Sequence, residues 1–338
     1  MYGLLRPFLF ALSPTRAHAL AFAAMAPMEQ WALARRLFGE PVPPDPRLTV
    51  RTMGLTFPHP VGLAGGFDKN AARVRALAAL GFGHLEIGTV TALAQAPNPA
   101  PNLFRLPLDR ALINRLGFPN DGAQAVASRL ARGMVSVPMG VSIGKSRLVP
   151  LDAMEPVLAD YVASFRAVVG VADFVVVNVS SPNTQGLRAL QGPALARALF
   201  QALQRENTGK LPLLVKIAPD LDDEQVDAVV DAALDEGLAG VVATNTTLSR
   251  AGLITPPSEV EAIGAGGLSG PPLHARALAV VAQVRKRIGK ERTVIGVGGI
   301  SSAKDVRSMM DAGADLVQVY TAFIYGGPGT VRRLVAGL

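Results

Sequence analysis

The chain is 338 residues long, 49% hydrophobic and 17% charged, which supplies a large core and argues against disorder. It has no cysteine, which excludes disulfides, thiolate metal sites, iron–sulfur ligation and a cysteine nucleophile or base. The net charge is +7, yet only 5% of residues are aromatic and the basic ones are scattered, so nucleic-acid binding is not expected.

Residues 1–38 read as short amphipathic helices. Leu4, Leu5, Phe8 and Leu9 recur at helical spacing, and Ser13-Pro14 has the form of an N-cap followed by proline, opening a second helix to about Met25. Met28, Trp31, Leu33 and Leu37, with Arg35 and Arg36, continue the theme. Arg6, Pro7, Pro14, Arg16 and His18, then Pro27 and Glu29, interrupt any run approaching the roughly 20 apolar residues of a spanning helix. The order of segments that marks a cleavable signal peptide is also missing. Gly39 to Pro46 holds four prolines in eight residues, which no helix can cross. Residues 1–44 are therefore read as an N-terminal helical extension, and 45–338 as one catalytic domain.

Beyond that boundary, β-branched runs alternate with helical segments, the pattern of βα units around a parallel sheet. The expected strands are Val61–Ala64, His84–Thr89, Met139–Ile143, Phe174–Val179, Leu213–Ile217, Gly240–Thr244, Val294–Val297 and Leu316–Tyr320. Val226, Val229, Val230 and Ala233 make one helical apolar stripe; Val306, Met309 and Met310 make another, with Ser302 and Asp305 as a capping box. Eight such strands predict an α/β fold, a closed (β/α)₈ barrel carrying a small N-terminal helical extension.

A barrel's site forms where its strands finish, and nearly every expected strand finishes in a polar residue or a glycine. In order these are Gly65, Gly66 and Lys69; Thr89; Ser142; Asn178 and Ser181; Lys216; Thr244 and Asn245; Gly298 and Gly299; Tyr320 and Thr321. Gly298-Gly299 suits a phosphate held by backbone N–H groups and equally suits a tight turn; Gly266-Gly267 and Tyr320-Thr321 favour the phosphate. No G-x-G-x-x-G follows an early strand, so a nicotinamide site is not expected. Lys69 and Lys216, which follow or end otherwise apolar strands, read as countercharges for an anionic substrate and a reduced flavin, or as snorkelling or ion-paired side chains. Asparagines at 114, 178, 183 and 245 offer paired donors and acceptors, as a planar ligand rich in amide groups requires.

At this point a resemblance becomes specific. GLAGGFDKN (62–70), GTVT (88–91), NLFRLP (102–107), NRLGF (114–118), NVSSPNTQGLR (178–188), VKIAPDL (215–221), ATNTT (243–247), GGLSG (266–270), GVGGI (296–300) and LVQVY (316–320) resemble dihydroorotate dehydrogenases, in that family's order. SPTRAHAL (13–20) resembles the start of the class 2, membrane-associated members.

The resemblance implies oxidation of (S)-dihydroorotate to orotate in pyrimidine biosynthesis, with FMN as hydride acceptor and a membrane quinone as final acceptor. It implies FMN contacts from Gly65, Gly66, Phe67, Asp68 and Lys69, then from Thr89, Ser142, Asn178, Lys216 and Thr244. Gly267, Gly298, Gly299, Tyr320 and Thr321 complete that set. Substrate contacts would come from Lys69 opposite the carboxylate, from Asn114, Arg115, Leu116, Gly117 and Phe118, and from Asn178, Asn183, Asn245 and Thr246. Ser181 matches the class 2 catalytic base, taking the C5 proton, with Phe118 and Thr184 shaping a relay beside it. Lys216 would stabilise charge at the flavin. His18, Arg105 and Tyr320 match the quinone end of the family's tunnel. Residues 1–38 would touch the inner face of the cell membrane peripherally, and neither a metal site nor an iron–sulfur partner subunit is implied. The chain departs from the family in GVSIGKS, where Ser142 replaces an asparagine and offers fewer donors, and at Pro119. Another FMN barrel oxidoreductase acting on a small anionic or amide-rich substrate is the alternative, and a non-catalytic phosphate-ligand binder a further one.

Overall fold

The computed structural model describes residues 2–133 and 135–338. Four helices open the chain: α1 (Tyr2–Ala11), α2 (Pro14–Ala24), α3 (Ala26–Gln30) and α4 (Ala32–Phe38). Ser13 caps α2 as expected, its hydroxyl accepting from the Arg16 N–H at 3.4 Å with Pro14 in the first turn. The expected apolar stripe of α1 faces outward, with Leu4 and Phe8 exposed. No helix among the described residues is long and apolar enough to cross a membrane.

A two-stranded hairpin follows, β1 (Val50–Thr52) and β2 (Leu55–Phe57), turning through Met53 and Gly54, both at positive φ. It plugs the N-terminal end of the barrel. Phe57 is fully buried among Phe174, Val176, Leu214, Val242, Ile295 and Leu316, and the Thr52 hydroxyl bonds that of Thr293 at 2.6 Å.

β3 (Val61–Leu63) and β4 (Leu85–Val90) begin the barrel, and β5 (Leu103–Leu106) and β6 (Ala111–Asn114) leave it as an antiparallel pair. β7 (Met139–Ile143), β8 (Phe174–Asn178), β9 (Leu213–Ile217) and β10 (Gly240–Ala243) resume it. β11 (Gly267–Ser269) joins β6 outside, and β12 (Thr293–Val297) and β13 (Leu316–Val319) close the ring when Val317 pairs with Val61. The closed barrel of eight parallel strands is the expected one, strand for strand.

α5 (Val74–Ala79), α6 (Ala123–Leu130), α7 (Met154–Val168), α8 (Pro193–Glu206), α9 (Asp223–Asp235), α10 (Pro257–Ile263), α11 (His274–Ile288), α12 (Ala303–Asp311), α13 (Thr321–Gly326) and α14 (Thr330–Val335) complete the chain. The Ser302–Asp305 capping box forms at the start of α12. Met310 is not part of the buried stripe of that helix; it points to solvent while Val306 and Met309 pack inward.

Large interior side chains lodge over glycines on neighbouring strands. A Cβ at Gly62 would lie 2.2 Å from the His84 ring, and one at Gly140 2.2 Å from the Phe174 ring. Such pairing lets a narrow barrel be filled without overpacking.

Candidate active site

At the C-terminal ends of the strands lies a cleft enclosing about 1160 Å³ of free space, its open mouth included. Gly65 and Gly66 after β3, Thr89 on β4, Asn178 on β8 and Lys216 on β9 form one side of its lining. The lining continues through Thr244, Asn245 and Thr246 after β10, Gly298 and Gly299 after β12, and Tyr320 and Thr321 after β13. The sheet of β5, β6 and β11 overhangs it, contributing Asn114 and Ser269, with Leu116, Gly117, Phe118 and Gly270 from the adjoining loops.

The asparagines are held in two hydrogen-bonded sets. Asn183 Nδ2 donates to Asn114 Oδ1 at 3.1 Å; Asn245 Nδ2 donates to Ser180 Oγ at 3.0 Å and to Asn178 Oδ1 at 3.4 Å. Arg188 braces the same loops from behind, donating to the carbonyls of Ser180 at 3.0 Å and Thr246 at 3.1 Å while pairing with Asp220. Ser181 is buried on the cleft wall, and its Oγ accepts from the Asn183 N–H at 3.2 Å. The Lys69 ammonium donates to the Gly66 carbonyl at 2.5 Å. Burial draws its pKa down to about 8, with Asp68 pulling the other way.

Gly298 and Gly299 have φ of +139° and +66°, and a Cβ on Gly299 would lie 2.7 Å from the His274 backbone nitrogen. Only glycine lets this turn run so close to the start of α11.

A family model described as dihydroorotate dehydrogenase matches residues 47–338. The chain belongs to the dihydroorotate dehydrogenase family. It is similar to the dihydroorotate dehydrogenase (quinone) of Rhodococcus opacus, 53% identical over 100% of this chain and 94% of the relative. The corresponding protein of a Nocardioides species is also 53% identical, over 96% of this chain and 93% of its own length. Among solved structures, the Eimeria tenella dihydroorotate dehydrogenase in complex with ferulenol superposes with a TM-score of 0.84 at 36% identity, covering 96% of this chain and 90% of that one.

Most residues that resemble the family's site converge on the cleft, but several do not line it. Ser142 is fully buried and outside the cleft lining, its Oγ 2.9 Å from the Thr89 hydroxyl. The Asp68 carboxylate instead holds the loop after β3, accepting from the N–H groups of Asn70, Ala72 and Arg73. Gly267 allows close passage of Thr246, whose hydroxyl a Cβ would meet at 2.0 Å. Arg115 stacks over Phe104 and donates to the carbonyls of Ile263 and Ala265. Thr184 stands outside the cleft lining, its carbonyl accepting from the Leu187 N–H.

A second cavity opens on the other side of Lys69, Leu116 and Tyr320, which line both. Its other walls include Thr15, His18 and Phe22 of α2 and Phe67 after β3. His18 packs against Phe22 and Phe67, and burial lowers its pKa to about 4, so it is neutral near pH 7. Arg105 lines neither cavity: it donates to the carbonyls of Phe10 and Leu12 at the end of α1 and lies over the Phe10 ring.

Residues that the sequence did not single out also line the cleft: Arg110, Ser269, Gly270, Gln318 and Tyr325. GGLSG carried part of that signal. Tyr325 carried none, since it acts by donating to the Leu106 and Ala111 carbonyls and so anchors the overhanging sheet.

Proposed function

We propose that the chain oxidises (S)-dihydroorotate to orotate, using FMN bound in the barrel mouth and a membrane quinone as final acceptor. The observation that carries this reading is the convergence of Lys69, Asn114, Ser181 and Asn245 on one cleft. The lining fits FMN: a glycine turn at 298–299 for the phosphate, amide side chains for a planar ring, and a buried lysine. The Thr246 hydroxyl is buried without a partner among the described residues, as expected of a group that serves a ligand. When bound, FMN supplies the hydride acceptor.

The remaining work falls to side chains. Lys69 offsets the substrate carboxylate, and the asparagines present donors and acceptors to the ring amides. Ser181 takes the C5 proton. The Asn183 N–H bond to its oxygen stabilises the charge that develops there. Phe118, on the cleft wall, excludes bulk water from that proton's path, while Thr184 stands behind the wall. His18, Phe22, Phe67 and Tyr320 form the quinone-facing chamber, and Arg105 serves it at a distance by fixing the end of α1.

Residues 1–44 are the membrane-facing unit, and 45–338 the catalytic one. Support comes from the exposed Leu4, Phe8, Trp31, Leu33, Leu37 and Phe38, an apolar surface suited to peripheral contact with the inner face of the cell membrane. Ser181→Ala is expected to retain FMN but slow its reduction by dihydroorotate by roughly 10²–10⁴-fold, the typical loss with a general base. Stopped-flow reduction at the wild-type rate would refute the assignment.

A further inference from the structure

Beneath the cleft floor sits a carboxylate that does not itself line the cleft. Glu86, on β4, is fully buried inside the barrel. Its Oε1 accepts from Lys216 Nζ at 3.1 Å and its Oε2 from Gln318 Nε2 at 2.9 Å. A Cβ on Gly65 would lie 2.3 Å from Oε1, so the carboxylate is pressed under the backbone of a residue that itself lines the cleft. Lys216 and Gln318 line the cleft from above; Glu86 does not.

An ion pair this deep is a poor source of stability, because desolvating both charges offsets most of their attraction. The barrel interior accepts apolar residues close by, as Leu214 and Val242 show, so filling space does not call for a carboxylate here. What the carboxylate does is local. It pins the end of a flexible four-carbon side chain, and it occupies one of the ammonium's three donors, leaving two for the cleft. It also cancels the lysine's charge, so a cofactor above the floor meets the positive end of a neutral pair rather than a net cation.

We propose that Glu86 is a positioning residue that acts through Lys216, with Gln318 as its second anchor, to fix the ammonium and to hold the reduction potential of the bound cofactor below the value a lone lysine would impose. This rests on the flavin reading above, and the two can fail separately.

The test uses the full-length flavin-loaded protein and anaerobic titration against redox dyes at pH 6. Glu86→Gln keeps the shape and removes one negative charge. It is expected to favour the reduced cofactor by about tenfold or more, a rise of about 30 mV for a two-electron couple. Glu86→Asp returns the charge and is expected to bring the potential back toward wild type. Gln318→Leu removes a donor dipole from the carboxylate, makes the floor more negative, and is expected to shift the potential the opposite way.

A purely architectural role would weaken flavin binding without moving the two potentials in opposite directions. Potentials in both variants equivalent to less than about a twofold change, roughly 9 mV, overturn the proposal while leaving the flavin reading intact. If Glu86→Gln does not fold, the sign of the Gln318→Leu shift decides. A wild-type protein that binds no FMN overturns the functional reading and this inference with it.

Discussion

Replacing Gly299 by alanine probes the turn at the end of β12. The residue has φ of +66°, where an L-side chain costs roughly 1–2 kcal/mol. The new methyl would sit 2.7 Å from the backbone nitrogen of His274 and 2.8 Å from its Cα. Neither can swing aside as a side-chain tip could, because His274 begins the 15-residue helix α11. Overpacking of this kind adds about 1–3 kcal/mol, for a total of roughly 2–5 kcal/mol. If the loop yields, the strain appears as lost cofactor affinity at about tenfold per 1.4 kcal/mol, so FMN binding should weaken by roughly 30-fold or more. If the loop holds, the same energy is lost from global stability. Quenching of FMN fluorescence on titration with apo-protein measures the first share, and urea unfolding of the apo-protein the second. A variant whose FMN affinity is within twofold of wild type and whose unfolding free energy is unchanged would refute the turn's assignment.

Three further outcomes are expected. Burial lowers Lys69 to about 8, so in the free protein its charge is lost as pH rises through that value; kcat/KM for dihydroorotate should fall above pH 8, and Lys69→Met should lower it and flatten that limb. A pH-independent wild type up to pH 9.5 would contradict the countercharge role. His84 is buried with both ring nitrogens unpartnered among the described residues, and desolvation lowers its pKa to about 3. The unfolded chain therefore binds a proton below about pH 6.5 that the folded chain does not, and stability should fall on acidification by up to about 1.4 kcal/mol per pH unit from this group. His84→Met should remove that share of the slope between pH 6 and 4.5 in urea titrations, and an unchanged slope refutes the account. Deleting residues 1–38 should leave flavin reduction by dihydroorotate within a few-fold of wild type while quinone reduction falls by roughly tenfold or more, since Thr15, His18 and Phe22 wall only the second cavity. Undiminished quinone turnover would place that site elsewhere.

The barrel was legible because its strands are buried on both sides and so read as short, mostly apolar runs. The hairpin before β3 and the sheet of β5, β6 and β11 were not, since three- and four-residue strands such as Gly267–Ser269 carry no period to detect. Within the site, polar residues at strand ends that line the cleft were legible from their chemistry, as with Asn178, Ser181 and Asn245. Glu86 was not, because its meaning lies in Gly65, Lys216 and Gln318, which only the closed barrel brings to it. The motifs around Arg115 and Asp68 carried no sign that these charged groups bond the backbone around the cleft and lie outside its lining.

Lys69, Leu116 and Tyr320 are a partition shared by two rooms. One room is bounded by the strand-end loops and the overhanging sheet; the other adds Thr15, His18 and Phe22 of α2 to its walls. On the proposed assignment, a water-soluble pyrimidine and a lipid-soluble oxidant would occupy different rooms and would not compete for one. Electrons would then cross the partition while the two molecules stay apart.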